Sequence, residues 1–161
     1  MEKSVLYQMI QYFGTDVPRI NHALKVYGYA QTIAFSQNLT PKELQIIEFA
    51  AILHDIGIPI SEKKYGSCSG NYQEIEGPPI AKEILKQCSI SEEIIERVCY
   101  IISKHHTLQA IDGIDFQIII EADFLVNAFE ETVSKKSIEH MKNTWFKTEE
   151  GMRLVDVMFL K

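Results

Sequence analysis

The spacing of apolar residues predicts a chain built from α-helices. In successive stretches, apolar side chains recur at positions i, i+3 and i+4, which places them on one face of a helix. The predicted helices are Met1 to Phe13, a second begun by Thr15-Asp16, a third begun by a capping box at Thr40-Glu43, a fourth from Pro78-Pro79 to Cys88, a fifth after a second capping box at Ser89-Glu92, a sixth from Phe116 to Glu130, and one or two from His140 to Leu160 that divide near Lys147-Thr148. No strand pattern is convincing, so the predicted fold class is all-α, a single helical bundle of about six to eight helices over residues 1–161.

Two residues that disfavour helix continuation follow the third predicted helix. Gly57 and Pro59 come directly after the pair His54-Asp55, and they are expected to end that helix. The segment from 57 to 77 is rich in glycine and serine, and it is predicted to be a loop of about 20 residues. Loops of this length in compact domains are often functional, so this one is expected to cover a bound substrate.

Composition and charge restrict the classes of partner. The net charge of −6 and the lack of a lysine and arginine cluster argue against a nucleic-acid polymer as ligand. A small phosphorylated substrate stays compatible, because a metal ion can supply local positive charge. The longest apolar runs, such as Phe49 to Leu53, are too short to cross a bilayer, so no membrane contact is expected. Three cysteines without a CxxC pair, and Met1-Glu2-Lys3 in place of a signal peptide, favour a cytoplasmic location.

Several polar residues interrupt apolar helices in a way that suggests a metal site. His22 lies inside the second helix, His54-Asp55 ends the third, and Asp123 interrupts the run from Ile118. A buried aspartate is costly unless it is paired or binds a cation. Imidazole and carboxylate together suit Mn, Fe, Co, Ni or Zn better than Mg alone. Ligands from different helices commonly converge in the core of a bundle.

Each of these residues also has a simpler interpretation when it is considered alone. A single histidine on an apolar helix is more often a hydrogen-bonded core residue than a ligand. Asp123 could pair with Lys25 or Arg19. The pair His105-His106 could simply end a helix, where the dipole favours cations. The argument for a metal therefore depends on the combination.

That combination resembles the HD-domain superfamily of metal-dependent phosphohydrolases. His22, then Leu53 to Gly57, then Glu121 to Asp123 match the ordered H…HD…D pattern of the superfamily, over most of the chain. Arg19 before the first histidine and the run Glu76-Gly77-Pro78 match as well. The resemblance implies a single all-α HD domain that hydrolyses a small phosphoester, often a nucleotide in this superfamily, through metal-activated water. The expected enzyme is a phosphomonoesterase or a phosphodiesterase.

The resemblance also implies roles for individual residues. The metal ligands would be His22, His54, Asp55 and Asp123. Asp55, His105 and His106 are the expected catalytic residues, with one of the two histidines orienting the phosphate or protonating the leaving group. Substrate charge would be neutralised by Arg19, Lys25 or Lys104. The expected cofactor is one divalent transition metal ion, and a second ion is left open.

Two positions depart from the pattern of many relatives. Members with two metals usually carry a further histidine where this chain has Gln73 followed by Glu74, which weakens the two-metal interpretation. Many relatives read HDIGK, whereas this chain has Ile58 in place of the lysine, so one phosphate contact is missing. These departures motivate an alternative, a non-catalytic sensor domain that binds metal or nucleotide. A metal-free interaction domain and a two-iron oxygenase are further alternatives, and the sequence leaves the oligomeric state open.

Overall fold

In a computed structural model, residues 4–161 of the chain form an all-α bundle. This confirms the predicted fold class. The helices are α1 (Val5–Phe13), α2 (Val17–Phe35), α3 (Pro41–Leu53), α4 (Ile58–Tyr65), α5 (Gly70–Gln87), α6 (Glu92–Lys104), α7 (Ile114–Glu130), α8 (Lys135–Trp145) and α9 (Glu149–Val155). A 3₁₀ turn at Leu108–Ala110 precedes α7, and a π-helical segment at Asp156–Leu160 follows α9.

Helices α2, α3 and α7 pack together and form the part of the core that carries the metal-ligand candidates. Helix α3 also contacts α6, which in turn packs along α5. Side chains such as Phe116, Leu53 and Ile102 are completely buried between these helices. Burying one such side chain stabilises the fold by about 1.5–3 kcal/mol, so this packing can hold polar residues that are costly to bury.

The HD pair lies in a turn between two helices. Thr40 and Glu43 form the predicted capping box at the start of α3. That helix ends at Leu53, and residues 54 to 57 form a turn. Pro59 then lies in the first turn of α4, where a missing N–H group does no harm. The helix therefore ends near the predicted place, but Pro59 begins the next helix instead of terminating the previous one.

The predicted loop from 57 to 77 is wrong, because most of this segment is helical. Helix α4 occupies Ile58–Tyr65 and ends at Gly66, whose φ of 66° is a left-handed conformation that glycine adopts without strain. Helix α5 begins at Gly70. A low content of apolar residues, together with glycine, serine and proline, concealed these helices, which are stabilised by packing of α4 on α5 and of α5 on α6.

Pro78 and Pro79 were predicted to open a helix, and they lie inside α5 instead. Proline in a helix interior costs about 3 kcal/mol or more, because it removes a hydrogen bond and crowds the preceding turn. The backbones of Gly57 and Gly77 are in close contact beside these prolines, and a Cβ on Gly57 would lie 2.7 Å from the Gly77 nitrogen. This contact joins the HD turn to α5 and needs glycine at 57, whereas a Cβ on Gly77 would instead lie 2.8 Å from Cγ2 of Ile102.

The ends of the chain and the α5–α6 junction differ in detail from the predictions. Helix α1 starts at Val5, and residues 1–3 of its predicted span lie outside the described residues. The second capping box is wrong, because the N-cap of α6 is Ser91 and its side chain makes no capping hydrogen bond. Ser89 has a φ of 59°, so the chain turns there before the helix starts. The predicted division near Lys147-Thr148 is confirmed, although the first of the two helices begins earlier, at Lys135.

A buried carboxylate connects α7 to the start of α9. Glu121 is fully buried and accepts hydrogen bonds from Gln117 Nε2 at 2.6 Å and from Thr148 Oγ1 at 2.5 Å. It also accepts from the backbone N–H groups of Lys147 and Thr148. Four donors thus compensate the burial of one charge, two residues away from Asp123 on α7.

The stretch Pro41–Tyr65 is long and apolar enough, by length and composition, to cross a membrane. In this structure 67% of its apolar window is buried inside the protein. A core helix of a soluble domain meets the same criterion, so this stretch is only weak evidence for a membrane span.

Candidate metal centre

Three segments bring the four predicted metal ligands together. His22 projects from the second turn of α2, Asp123 from the middle of α7, and His54 and Asp55 from the turn after α3. The Nε2 atom of His22 lies 3.3 Å from His54 Nε2, 3.1 Å from Asp123 Oδ1 and 3.3 Å from Asp55 Oδ2. The Nε2 atom of His54 lies 3.4 Å from both carboxylates. Residues far apart in the sequence therefore place four donor atoms around one point.

The hydrogen bonds of the two imidazoles show which ring nitrogens face this point. His54 Nδ1 donates to the carbonyl oxygen of Ala51 at 2.8 Å. His22 Nδ1 donates to the carboxylate of Glu130 at 2.6 Å. In the neutral rings both protons are then on Nδ1, so two Nε2 lone pairs face two carboxylates. Such a group of acceptors needs a cation or extra protons between its members, because the lone pairs otherwise repel one another.

The spacing of these donor atoms fits a transition metal ion. With metal–ligand bonds of about 2.1 Å, neighbouring ligands are about 3.4 Å apart in a tetrahedron and about 3.0 Å apart in an octahedron. The observed separations run from 3.1 to 3.4 Å. Two imidazoles with two carboxylates also match the ligand preferences of Zn, Fe, Mn, Co or Ni. His22, His54, Asp55 and Asp123 are therefore suited to hold such an ion.

The mutual electrostatics of the four groups support the same conclusion. Burial alone would lower the pKa of His22, but the hydrogen bond to Asp123 and the charge of Asp55 outweigh it and raise the pKa. His54 behaves in the same way, with a pKa well above the usual value. Burial would raise the pKa of Asp55, but the positive charge of His54 and the adjacent His105 imidazole hold it well below its usual range. The site therefore stabilises bound positive charge.

A second layer of contacts orients the ligands from α2 and α7. Glu130 accepts from His22 Nδ1 and also from Lys25 Nζ at 2.8 Å. Asn127 Nδ2 donates to Asp123 Oδ1 at 3.2 Å. Metal-bound histidines commonly donate their other ring N–H to a carboxylate in this way. The sequence offered a signal for these residues, because 127 and 130 follow 123 on one helix face, but Glu130 was interpreted only as a helix end.

A second group of potential ligands shares Asp55 with the first. The donor atoms of Asp55, His105 and His106 lie within 4.8 Å of one another. His105 Nδ1 donates to the carbonyl of Ile102, which directs Nε2 toward Asp55 Oδ1 at 3.5 Å. This buried Nε2 has no hydrogen-bond partner among the described residues. An unpaired buried acceptor next to a carboxylate is a place where a substrate proton or a second cation would fit.

His106 is held by Gln73, the residue at the position where two-metal relatives carry histidine. Gln73 Nε2 donates to the carbonyl of Cys68 at 2.6 Å, so its Oε1 accepts from His106 Nε2 at 3.0 Å. Burial and the nearby charge of His105 lower the pKa of His106 to about 4. Gly70 lies against the same ring, and a Cβ there would lie 2.6 Å from His106 Cγ. Helix α5 thus fixes the orientation of His106.

The three predicted substrate-binding side chains differ in whether they form ion pairs within the protein. Arg19 pairs with Asp16 at 2.8 Å and with Glu62. Lys25 pairs with Glu130 behind His22. Lys104 is exposed at the end of α6, next to His105. Two of the three are thus engaged within the protein, and their role toward substrate stays a prediction.

The comparison with known protein families agrees with this arrangement. The HD domain family matches residues 19–142, a span that contains all four residues of the first ligand group and both His105 and His106. This chain belongs to the HD domain family. The pair His54-Asp55, in the turn after α3, lies within the matched span.

A solved structure has the same fold. The crystal structure of a predicted HD superfamily hydrolase from an uncultured Thermotogales bacterium superposes on the chain with a TM-score of 0.70 and 22% sequence identity. The match covers 97% of this chain and 83% of that protein. No curated protein matches the chain significantly. The HD-domain fold and the metal-ligand geometry are therefore the firmest guides to function.

Proposed function

We propose that this HD domain is a metal-dependent phosphohydrolase acting on a small phosphoester. The observation that carries the proposal is the convergence of His22, His54, Asp55 and Asp123, with separations from 3.1 to 3.4 Å and lone pairs directed inward. The membership in the HD family and the resemblance to a predicted hydrolase support the reaction class. When bound, a divalent cation would supply activation of a water molecule and polarisation of a phosphoryl oxygen.

The residues of the chain have distinct tasks in this proposal. His22 and His54 contribute neutral imidazoles whose orientation is set by Glu130 and by the Ala51 carbonyl. Asp55 faces both ligand groups, with Oδ2 toward His22 and Oδ1 toward His105. A phosphate placed between the groups would therefore lie next to an unpaired histidine nitrogen.

His105 is the better-placed of the paired histidines to exchange a proton with substrate. Its Nε2 is free of other hydrogen-bond partners in the part of the chain described here, whereas His106 Nε2 is occupied by Gln73. A histidine within hydrogen-bond reach of the leaving group typically contributes 10²–10⁴-fold, roughly, to the rate. Because Nε2–H of the neutral His106 ring donates to Gln73, its Nδ1 remains an acceptor, suited to accept a hydrogen bond from water or a substrate hydroxyl and not to donate to a phosphate oxygen.

A sensor function without catalysis is the second candidate, and one observation favours it. Gln73 forms a hydrogen bond with His106 and is itself held by the Cys68 carbonyl. An amide side chain therefore occupies the position at which two-metal relatives carry a metal ligand. Such a domain would bind metal and a nucleotide and would respond by a change in stability.

The decisive experiment is a turnover screen with metal-depleted protein. The protein is reconstituted separately with Mn, Fe, Co, Ni and Zn, and then assayed with an aryl phosphate and a panel of nucleotides. The proposal predicts turnover with at least one metal, abolished in Asp55→Ala while the helical circular dichroism spectrum is retained. Glu139→Gln, on the exposed face of α8, is a matched control and should keep full activity.

The outcomes separate the candidates. Absence of turnover with every metal, together with thermal stabilisation by a nucleotide, would support the sensor and reject the hydrolase. If no transition metal binds at sub-millimolar concentration, both candidates fail and a metal-free interaction domain remains.

A further inference from the structure

In the proposed mechanism, His105 exchanges a proton with substrate while its ring lies beside Asp55. Its own helix restrains the ring, because Nδ1 donates to the carbonyl oxygen of Ile102 at 2.7 Å. That bond does not fix where the end of α6 lies relative to the HD turn, since Asp55 belongs to a different segment of the chain. The separation of 3.5 Å between His105 Nε2 and Asp55 Oδ1 therefore depends on contacts that hold the turn after α6.

Glu74 on α5 provides such contacts through its carboxylate. Its Oε2 accepts hydrogen bonds from the backbone N–H of His106 at 3.3 Å and from Thr107 Oγ1 at 2.9 Å, and its Oε1 lies 3.2 Å from the same hydroxyl. Hydrogen bonds to an ionised carboxylate are roughly twice as strong as those between neutral groups. Both donors belong to the two residues directly after His105, so Glu74 holds the backbone that carries the His105 ring.

The same turn of α5 also touches the HD turn. The backbone carbonyl of Gln73 lies so close to Gly57 that a Cβ on the glycine would be 3.0 Å from its oxygen. Gly57 follows Asp55 by two residues. One end of α5 thus contacts the turn that carries Asp55 and, through Glu74, the turn that carries His105. A helix that contacts both turns can set their separation.

The side chain of Gln73 acts on a different atom of the turn after α6. Its Oε1 accepts from the ring Nε2 of His106 at 3.0 Å, so this bond orients a side chain and not the backbone. Glu74, in contrast, holds a backbone N–H and the hydroxyl of Thr107. The position of the turn, and with it the position of the His105 ring, therefore depends on Glu74 more than on Gln73.

We infer that Glu74 is a positioning residue for His105 in the proposed hydrolysis. It acts through the backbone of the turn after α6 and keeps His105 Nε2 directed at Asp55. Thr107 is its partner in this task, because the hydroxyl of Thr107 makes the shortest of the contacts. The catalytic part of this inference rests on the proposed phosphohydrolase function, whereas the geometric part can be tested in a protein that hydrolyses nothing.

The kinetic test uses metal-loaded protein and an aryl phosphate or nucleotide that the turnover screen identifies as a substrate. Glu74→Ala and Thr107→Val are each expected to lower kcat by about ten- to hundredfold, since a displacement of about 1 Å can cost that much. Thr107→Ser keeps the hydroxyl and should retain kcat within roughly twofold. Glu83→Ala is the matched control on α5, because the exposed Glu83 accepts only from Gln87 and should be dispensable.

A double-mutant cycle separates positioning from a general structural effect. If Glu74 acts through His105, Glu74→Ala should lower kcat by less than about threefold in a His105→Asn background, because the proton-transfer group is already absent. The same substitution in the wild-type background should have its full effect. Equal losses in the two backgrounds would overturn the inference.

An NMR measurement tests the geometric part without turnover. The chain has five histidines, so ¹³C labelling of histidine gives five Cε1–Hε1 signals, and His105→Asn assigns the relevant one. In zinc-loaded protein, Glu74→Ala and Thr107→Val should shift the His105 signal, whereas Thr107→Ser should not, and the exposed His140 should stay unchanged throughout. Such shifts in a protein without turnover would support the positioning and reject only the hydrolase. An unchanged His105 signal in both variants would overturn the inference.

Discussion

The carboxylate of Glu130 lies 2.6 Å from Nδ1 of His22, on the side of the ring that faces away from the metal centre. The same carboxylate binds Lys25 at 2.8 Å. Burial would raise the pKa of Glu130, but the hydrogen bonds from His22 and Lys25 outweigh it and lower the pKa. The contact thus joins α2 to α7 and keeps the His22 proton on Nδ1, with the lone pair of Nε2 directed at the other ligands.

Replacement of Glu130 tests this positioning role. In Glu130→Gln the acceptor loses its charge but keeps nearly the same shape, and metal affinity is expected to fall by about 10–100-fold, as for other carboxylates that support a histidine ligand. Isothermal titration of the metal-depleted protein with Zn or Mn measures this directly. Glu139→Gln, which removes the same charge from an exposed position on α8, should leave the affinity unchanged. Equal affinities in wild type and Glu130→Gln would show that the contact is only structural.

Metal removal should destabilise the protein in proportion to its affinity. A ligand present at a hundred times its dissociation constant stabilises the folded state by about 2.7 kcal/mol. For a domain of this size, this corresponds to a rise in Tm of roughly 5–10 °C. We therefore expect chelation to lower Tm and readdition of metal to restore it, in wild type but not in Asp55→Ala. A Tm that is insensitive to every metal would contradict the four-ligand site.

Gly151 is expected to be essential for the connection between α7 and α9. A Cβ at this position would overlap Glu121 Oε1 and lie 2.7 Å from Thr148 Oγ1, so the buried carboxylate would lose its arrangement of donors. Gly151→Ala should lower the free energy of unfolding by about 2–4 kcal/mol. In the matched control Gly28→Ala, the new methyl group in α2 meets nothing within 4 Å. That variant should be stabilised by about 0.5–1 kcal/mol, and urea denaturation compares the two.

The paired histidines should be unequal in catalysis. His105 presents an unpaired Nε2 next to Asp55, whereas His106 is bound to Gln73. We expect His105→Asn to reduce kcat by about 10²-fold or more, with the affinity for the first metal ion kept within roughly threefold. His106→Asn should reduce kcat by a smaller factor than His105→Asn. Steady-state kinetics with parallel metal titrations separates these effects, and a larger loss in the His106 variant would reverse the assignment.

Close contact at Gly57 should couple the HD turn to α5. Gly57→Ala would place a methyl group 2.7 Å from the Gly77 nitrogen and 3.0 Å from the Gln73 carbonyl, both of which are backbone atoms. The turn that carries Asp55 must then shift, so both the free energy of unfolding and the metal affinity should fall. Gly28→Ala serves again as the neutral comparison. A variant with wild-type metal affinity would show that the turn tolerates the displacement.

The all-α class and the set of metal-ligand candidates were accessible from the sequence. Helices such as α2 and α7 are long and rich in apolar residues, and His22 and Asp123 stand out because burial makes isolated polar groups costly. The His54-Asp55 pair indicates a metal site only in combination with those two residues. A capping box such as Thr40-Glu43 can also be recognised from the sequence, because it depends only on residues close together in the chain.

Tertiary structure decided what depends on contacts between distant segments. Helix α4 and the first half of α5 were missed because they contain few apolar residues, and packing against α6 compensates even two prolines inside α5. The pairing of Glu130 with His22 joins residues 108 positions apart, and no local pattern encodes it. The position of Asp55 between two ligand groups likewise follows from the packing of helices, since only the folded chain places those side chains together.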